Sequence, residues 1–339
     1  MFSRIKKSKS ELRYDTINKD WIVVAEGRGK RPEDFKNKKE EQAEDSSPCV
    51  FCNYFTHSNT ADKNFLIVPN KFPAFLPPHH SKIRGESRAN KDNSLKSGNA
   101  LFKTMPSVGF HEVVIFNDHS KQLTDFSISD WEGLFSAYQQ KYLELSKERV
   151  VSYISIFHNH GKMAGASLNH PHSQIIAIPF FDITLEHSIN SAKEFFFNKS
   201  QCLFCSMNRA EKVAKSRIIL ENNSFLAVCP FASKVNFEVV ISPKKHLPYF
   251  EKITKEEKSE LAQVFQVVLK KISYGLNNPD YNFYLHTSPC DDKDYLFYHW
   301  HFTIMPRVNV WAGFELGAGI EIITMLPEKA AEYLKNVKI

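Results

Sequence analysis

Apolar and polar positions along the chain form a pattern that is written twice. Two short apolar runs, Phe65-Leu66-Ile67-Val68 and Phe225-Leu226-Ala227-Val228, are bounded by Asn, Pro and Ser and read as strands. Each is followed by a second strand-like run, Phe110-His111-Glu112-Val113-Val114-Ile115-Phe116 and Phe237-Glu238-Val239-Val240-Ile241. The period then changes from two to about 3.6 residues. Trp131, Leu134, Phe135, Tyr138, Tyr142 and Leu145 predict a helix over 129–149, and Leu261, Val264, Phe265, Val268 and Leu269 one over 255–271. A last strand in each half carries paired histidines, His170-Pro171-His172 and His299-Trp300-His301. Strand, strand, helix, strand, repeated, predicts an α+β fold of two similar halves, 1–195 and 196–339, with helices packed on antiparallel sheets.

Chemistry-bearing residues follow the same repeat. Each half opens on a knuckle, Cys49-Val50-Phe51-Cys52 or Cys202-Leu203-Phe204-Cys205, continues to a lone histidine, His119 or His246, and ends on the paired histidines. From His119 to His170 is 51 positions (170 − 119), and from His246 to His299 is 53 (299 − 246). From Cys52 to His119 is 67 positions, against 41 from Cys205 to His246, and the extra length lies in a polar stretch over 79–107 that reads as a mobile loop. Residues 36–47, rich in Lys, Glu, Gln, Asp and Ser, read as an exposed connector.

Two thiolates from a tight knuckle and two imidazoles brought from elsewhere are what a closed tetrahedral zinc site needs. One Zn²⁺ is expected on Cys49, Cys52, His119 and His170, and a second on Cys202, Cys205, His246 and His299. The blander reading of His119 and His246, surface histidines beside a strand, does not explain the matched intervals. Cys229 and Cys290 lack such spacing and read as structural thiols.

In an extended segment His170 and His172 project to one side, Ser173 to the other, and Gln174 again to the first. With His170 held by zinc, His172 is left as a positioned imidazole able to attack phosphorus. The preceding loop, with Gly165, Ser167 and then Ser173 and Gln174, supplies donors for a phosphate. His301 lacks this setting, since Trp300, Phe302 and Thr303 surround it, so one active centre per chain is expected.

At 339 residues, 42% hydrophobic, with a net charge of +6, the chain can bury a substantial core and suits anionic small substrates at least as well as nucleic acid. No apolar run approaches the roughly 18 residues of a membrane span and no apolar segment follows the basic N-terminus, so a cytoplasmic protein with neither nucleic-acid nor membrane partner is expected.

With these residues in view, the chain resembles the galactose-1-phosphate uridylyltransferase family, a two-repeat branch of the histidine triad superfamily. The resemblance runs through Glu11-Leu12-Arg13-Tyr14-Asp15, Trp21-Ile22-Val23-Val24-Ala25, Arg28-Gly29-Lys30-Arg31-Pro32 and Pro69-Asn70-Lys71-Phe72-Pro73. It continues in His170-Pro171-His172-Ser173-Gln174 and ends near Gly313-Phe314-Glu315 and Pro327-Glu328. It implies two histidine-triad-like halves. It also implies that His172 attacks the α-phosphorus of UDP-glucose, expels glucose 1-phosphate and forms a uridylyl-histidine, which galactose 1-phosphate or another hexose 1-phosphate resolves by ping-pong kinetics.

By the same resemblance Gln174 hydrogen-bonds the transferred phosphoryl group, Arg28 and Arg31 lie near the substrate phosphates, and Asn70 and Lys71 serve the nucleoside. Asn159, Gly165 and Ser167 belong to the phosphate loop, and Glu315 meets sugar hydroxyls. Arg13 matches either a substrate residue or a structural ion pair. Family members are commonly homodimers, so a homodimer is expected here. The chain departs from the family at Glu321 and Ile323, where two-zinc members read Tyr and Asn, which puts the acceptor sugar in question. Alternatives within reach are an ADP-glucose enzyme using inorganic phosphate as acceptor, and a nucleotide-binding or hydrolytic histidine-triad protein.

Overall fold

The computed structural model describes residues 10–25, 35, 49–56, 64–78 and 105–339. Arg28, Arg31, the connector over 36–47 and most of the expected loop, 79–104, lie outside the described residues.

Two sheets organise the described residues. The larger has nine strands, β3 (Phe65–Pro69), β4 (Phe110–Phe116), β5 (Tyr153–His160), β6 (His172–Ile178), β7 (Ile218–Glu221), β8 (Phe225–Val228), β9 (Val239–Pro243), β10 (Tyr281–His286) and β11 (His301–Pro306). Their order across the sheet is β3-β4-β6-β5-β10-β11-β9-β8-β7, and every neighbouring pair is antiparallel. The two halves therefore share one sheet. They meet at a seam where β5 and β10 pair, with Phe157 opposite Tyr284 and Asn159 opposite Asn282. Neither strand is among those expected from the sequence, although β10 alternates, with Tyr281, Phe283 and Leu285 buried and Asn282, Tyr284 and His286 on the other face.

Helices α2 (Ile128–Leu145) and α5 (Lys255–Leu276) lie where the 3.6-residue pattern put them and pack on one face of the sheet. Each begins with reciprocal capping, Ser127 with Asp130 and Thr254 with Glu257. Trp131, Phe135, Phe265, Phe283 and Phe302 form a dry aromatic stack between them, with the Phe265 and Phe302 ring centroids 5.0 Å apart. Burying each such ring contributes roughly 1.5–3 kcal/mol.

Among the described residues, α1 (Cys52–Thr56), α3 (Ile183–Lys199) and α4 (Leu203–Ala214) cover part of the opposite face. Position 195, where the repeat count divides the chain, lies inside α3, so the junction is a helix and not a linker. No described helix is long and apolar enough to cross a membrane.

The second sheet is small. β1 (Ser10–Asp15) and β2 (Asp20–Ala25) form a hairpin, and β12 (Ile322–Ile323) adds to β2 in parallel. α6 (Gly313–Ala318) precedes β12 and α7 (Pro327–Asn336) follows it. The departures at Glu321 and Ile323 thus fall on this sheet: the Glu321 carbonyl accepts from Val23 N–H at 3.0 Å and Ile323 is fully buried with Ile22 and Val24. They shape the fold edge.

Arg13 is structural. Its guanidinium is buried, donates to Glu11 Oε1 at 2.7 Å, Phe231 O at 3.1 Å and Glu328 Oε1 at 3.0 Å, and stacks over the Phe231 ring.

Candidate active site and metal clusters

Both cysteine knuckles converge with their expected histidines. Cys49, Cys52, His119 and His170 form one cluster and Cys202, Cys205, His246 and His299 another, with all ligand atoms of each set within 4.8 Å of one another. In the first, His170 Nδ1 lies 3.5 Å from Cys49 Sγ, 3.6 Å from Cys52 Sγ and 3.1 Å from His119 Nδ1. In the second, His299 Nδ1 lies 3.5 Å from Cys205 Sγ and 4.0 Å from Cys202 Sγ.

The outer ring nitrogens show that these donors suit a cation. His170 Nε2 donates to Phe116 O at 2.6 Å, His299 Nε2 to Pro243 O at 2.9 Å, and His246 Nε2 to Leu296 O at 2.7 Å. With its outer N–H so committed, each ring turns Nδ1 inward toward the cysteine sulfurs, the arrangement that fixes metal-binding histidines. Either cluster could hold a metal ion.

The first cluster also sets the paired histidines. Phe51, inside the knuckle, meets the rings of His170 and His172 edge-on, with centroids 5.7 and 5.0 Å away. His172 opens β6 and is buried. Its Nδ1 donates to the His170 carbonyl at 2.9 Å, which leaves Nε2 with the lone pair. Burial lowers its pKa, against the pull of that carbonyl, so the ring is neutral near neutral pH.

Alternation along β6 holds as expected for His172 and Gln174. Ser173 departs from its expected phosphate role. It is fully buried on the helix side, where Tyr138 Oη donates to its Oγ at 2.5 Å and its own hydroxyl reaches His158 Nδ1 at 3.1 Å.

Two amides share the His172 face. Gln174 is two residues along β6. Asn159 follows from register: His158 pairs with Ser173, so one further step sets Asn159 opposite His172.

Each amide has its oxygen engaged. Ala74 N–H donates to His111 Nδ1 at 3.1 Å, so the His111 proton sits on Nε2, which donates to Gln174 Oε1 at 2.7 Å. Asn70 Nδ2 lies 3.1 Å from that same Nε2, a contact between two donors, and Asn70 Oδ1 accepts from Phe72 N–H. On the other side Asn282 Nδ2 donates to Asn159 Oδ1 at 2.7 Å. Both amides are left with NH₂ groups to offer, which suits the charge that develops on a phosphoryl oxygen.

The loop after β5 is tightly specified. A short 3₁₀ turn, Lys162–Ala164, stands between Gly161 (φ 82°) and Gly165 (φ 83°). Ser167 on this loop is exposed. Lys71 is exposed, its ammonium over the Phe72 ring. Glu315 is occupied with its own helix, accepting from Ala312 N–H at 3.0 Å at the start of α6. A cavity of ≈ 300 Å³ lies along the seam, lined by Asn159, Asp182, Asn282, Tyr284, His286 and Arg307 among others.

The second repeat closes the equivalent centre. His301 Nδ1 faces the His299 carbonyl at 3.3 Å, as His172 faces that of His170, but its Nε2 is already met by His286 Nδ1 at 3.1 Å. Thr303 stands where Gln174 would be. Cys229 is buried and its thiol pushed well up by burial, as befits a structural residue; Cys290 is half-buried.

Sequence reasoning missed His111, Asp280, Asn282 and Arg307. His111 was visible as the polar member of the β4 face that continues in Val113 and Ile115; Asp280 and Asn282 lie beside and on β10, which was not expected, and Arg307 directly follows β11.

Residues 2–181 match the family model described as galactose-1-phosphate uridyl transferase, N-terminal domain, and residues 134–337 match a domain of unknown function (DUF4921). The chain is 30% identical over 340 residues to an ADP-glucose phosphorylase of Arabidopsis thaliana, covering 99% of this chain and 95% of the relative. It is 28% identical over 341 residues to a galactose-1-phosphate uridylyltransferase of Thermotoga maritima, covering 97% and 99%. Among solved structures it is similar to an A. thaliana ADP-glucose phosphorylase with bound ADP-glucose, with a TM-score of 0.79 at 27% identity over 98% of this chain and 100% of that one. A uridylyltransferase structure matches with a TM-score of 0.73 at 25% identity over 96% and 97%.

Proposed function

Since the chain belongs to the galactose-1-phosphate uridyl transferase family of nucleotidyltransferases, we propose that it splits ADP-glucose with inorganic phosphate through a nucleotidyl group carried on His172. The observation that carries the shared chemistry is the His172 ring itself, neutral, with Nδ1–H committed to the His170 carbonyl and Nε2 unprotonated. Nε2 attacks the α-phosphorus, the bond from that phosphorus to the bridging oxygen breaks, and glucose 1-phosphate leaves. A phosphate oxygen then attacks the same phosphorus, the P–N bond breaks, and ADP departs with His172 restored. Gln174 and Asn159 donate their NH₂ groups to the phosphoryl oxygens in both displacements. Gly165 and Ser167 add loop donors.

Similarity along almost the whole of both chains to an ADP-glucose phosphorylase supports the adenosine donor. The second reading, transfer of uridylyl from UDP-glucose to galactose 1-phosphate, is supported by the family description and by the T. maritima relative. Arg28 and Arg31 in this reading neutralise substrate phosphates, Asn70 and Lys71 serve the nucleoside, and Glu315 the sugar. Both Cys₂His₂ sets hold Zn²⁺, which supplies fixed geometry, with His172 two residues from a ligand. The protein acts as a homodimer in the cytoplasm.

The test is intact mass after incubation with ADP-glucose or UDP-glucose and no acceptor, for wild type and His172→Gly. An adenylyl adduct on wild type alone supports the proposal, and a uridylyl adduct replaces it by the second reading. An adduct on the variant removes His172 as nucleophile.

A further inference from the structure

The His172 face belongs to the first repeat, yet its Asn159 side is fixed from the second. Asn282, on β10, is satisfied at every polar position. Its Nδ2 uses both hydrogens, to Asn159 Oδ1 at 2.7 Å and Ala164 O at 2.8 Å, and its Oδ1 accepts from Arg307 Nε at 2.5 Å. Reversing this amide would set oxygen against two oxygens and NH₂ against the guanidinium, so its orientation is forced. Arg307 is itself held, its backbone N–H on the Asp280 carbonyl at 2.7 Å.

The consequence passes to Asn159. With Oδ1 taken by Asn282, its NH₂ is the end left for the phosphoryl group beside His172. The same Asn282 nitrogen holds the carbonyl of Ala164, the residue before Gly165 in the phosphate loop. We propose that Asn282, set by Arg307, is a positioning residue for nucleotidyl transfer, acting across the repeat seam by holding the Asn159 amide donor-outward and the phosphate loop against it. This assignment rests on the nucleotidyl-histidine reading above. It gives the second repeat, whose own histidine is closed off by His286, a direct part in the single active centre.

Asn282→Asp keeps the size of the side chain and gains an ion pair with Arg307, but it turns a donor to Asn159 into an acceptor. The Asn159 amide must then rotate, giving its NH₂ to Asp and its oxygen to the phosphoryl group. Single-turnover adduct formation from ADP-glucose or UDP-glucose, whichever labels wild type, should slow at saturating donor by at least about tenfold, with half-saturation changed by less than about threefold. Arg307→Lys, which cannot reproduce the Nε contact, should lose part of the same rate. Slowing by Asn282→Asp should disappear in an Asn159→Ala background, since a residue that acts through Asn159 has nothing left to set.

Adduct formation by Asn282→Asp at the wild-type rate, or an equal loss with and without the Asn159 side chain, overturns the assignment while leaving the function intact. Absence of any adduct on wild type overturns the function and this assignment together. Should the Asp variant fail to fold by circular dichroism, Asn282→Ala enters the same double-variant comparison, with the same outcomes deciding.

Discussion

Asp280, at the start of β10, fills the space that a side chain on Gly161 would need. A Cβ added to Gly161 would overlap the Asp280 carboxylate, whose Oδ2 accepts from the Met163 N–H at 2.6 Å. Gly161 also stands at φ 82°, which other residues rarely adopt. Gly161→Ala should therefore displace the loop after β5 and, on the proposed function, slow adduct formation by about tenfold or more, while Asp280→Ala, which leaves the glycine in place, should cost less. Single-turnover rates of the two variants check this ordering; equal losses would contradict it.

His111 determines which end of the Gln174 amide is presented. His111→Leu removes the donor that captures Gln174 Oε1, so the amide turns freely and offers oxygen as readily as NH₂. Turnover should fall by about tenfold to a hundredfold, and Gln174→Ala should be no worse when His111 is already Leu. A steady-state double-variant cycle reads this directly.

The two cysteine clusters should separate in their effects. Cys49→Ser weakens the cluster that contains His170 and leans on His172 through Phe51, so metal content, melting temperature and turnover should all fall. Cys202→Ser disturbs the cluster that ties α4 to His299, and should lower metal content and melting temperature with a smaller loss of turnover. Metal analysis beside thermal unfolding distinguishes the two; a chain indifferent to both changes would not be using these clusters.

Glu238 gives the fold a pH dependence of its own. It is buried, and burial pushes its carboxyl up to about 7, despite the hydrogen bond from Lys234 N–H. The folded chain thus holds this proton more tightly than the unfolded chain, whose glutamates titrate near 4.3. Its stabilising contribution is complete below that value, declines as pH rises, and is gone above about 7, a change of up to about 3 kcal/mol. Urea unfolding between pH 5 and 8 should show stability falling with pH in wild type and a flatter profile in Glu238→Gln.

Arg13 should matter for stability and not for the reaction. Arg13→Ala leaves the Phe231 carbonyl and one contact of Glu328 unmet, although Arg217 still reaches Glu328 Oε1 at 2.6 Å. A loss of about 2 kcal/mol follows, with adduct formation per folded molecule unchanged.

The legible parts of this chain were those encoded in local pattern or in repetition. The strands β3, β4, β8 and β9 show as short apolar runs, and the helices α2 and α5 show because one face of each is buried. The eight clustered cysteines and histidines show because the order occurs twice. Strand alternation set His172 and Gln174 on one face of β6, but the same loop reading offered Ser173 to the phosphate, since sequence cannot tell that the far side of β6 is sealed by Tyr138. What could not be read is what depends on strands meeting at long range. Nothing local marks β5 and β10 as partners, so Asn282 and Arg307 could not be connected to Asn159.

That seam also shapes how the chain comes into being. Asn159 and Asn282, which face each other across it, are separated by 123 residues. During synthesis at about 5–20 residues per second, β5 therefore waits on the order of ten seconds for β10, with one row of backbone donors and acceptors open. Until then the nascent first half is a sheet with a bare edge, able to take a strand from a neighbouring chain. Pairing of β10 covers the β5 edge and brings Asn282 against Asn159; β11, which follows, covers the edge that β10 opens in turn and brings Arg307 against Asn282, so exposure to misassembly on this side lasts until both strands are in place.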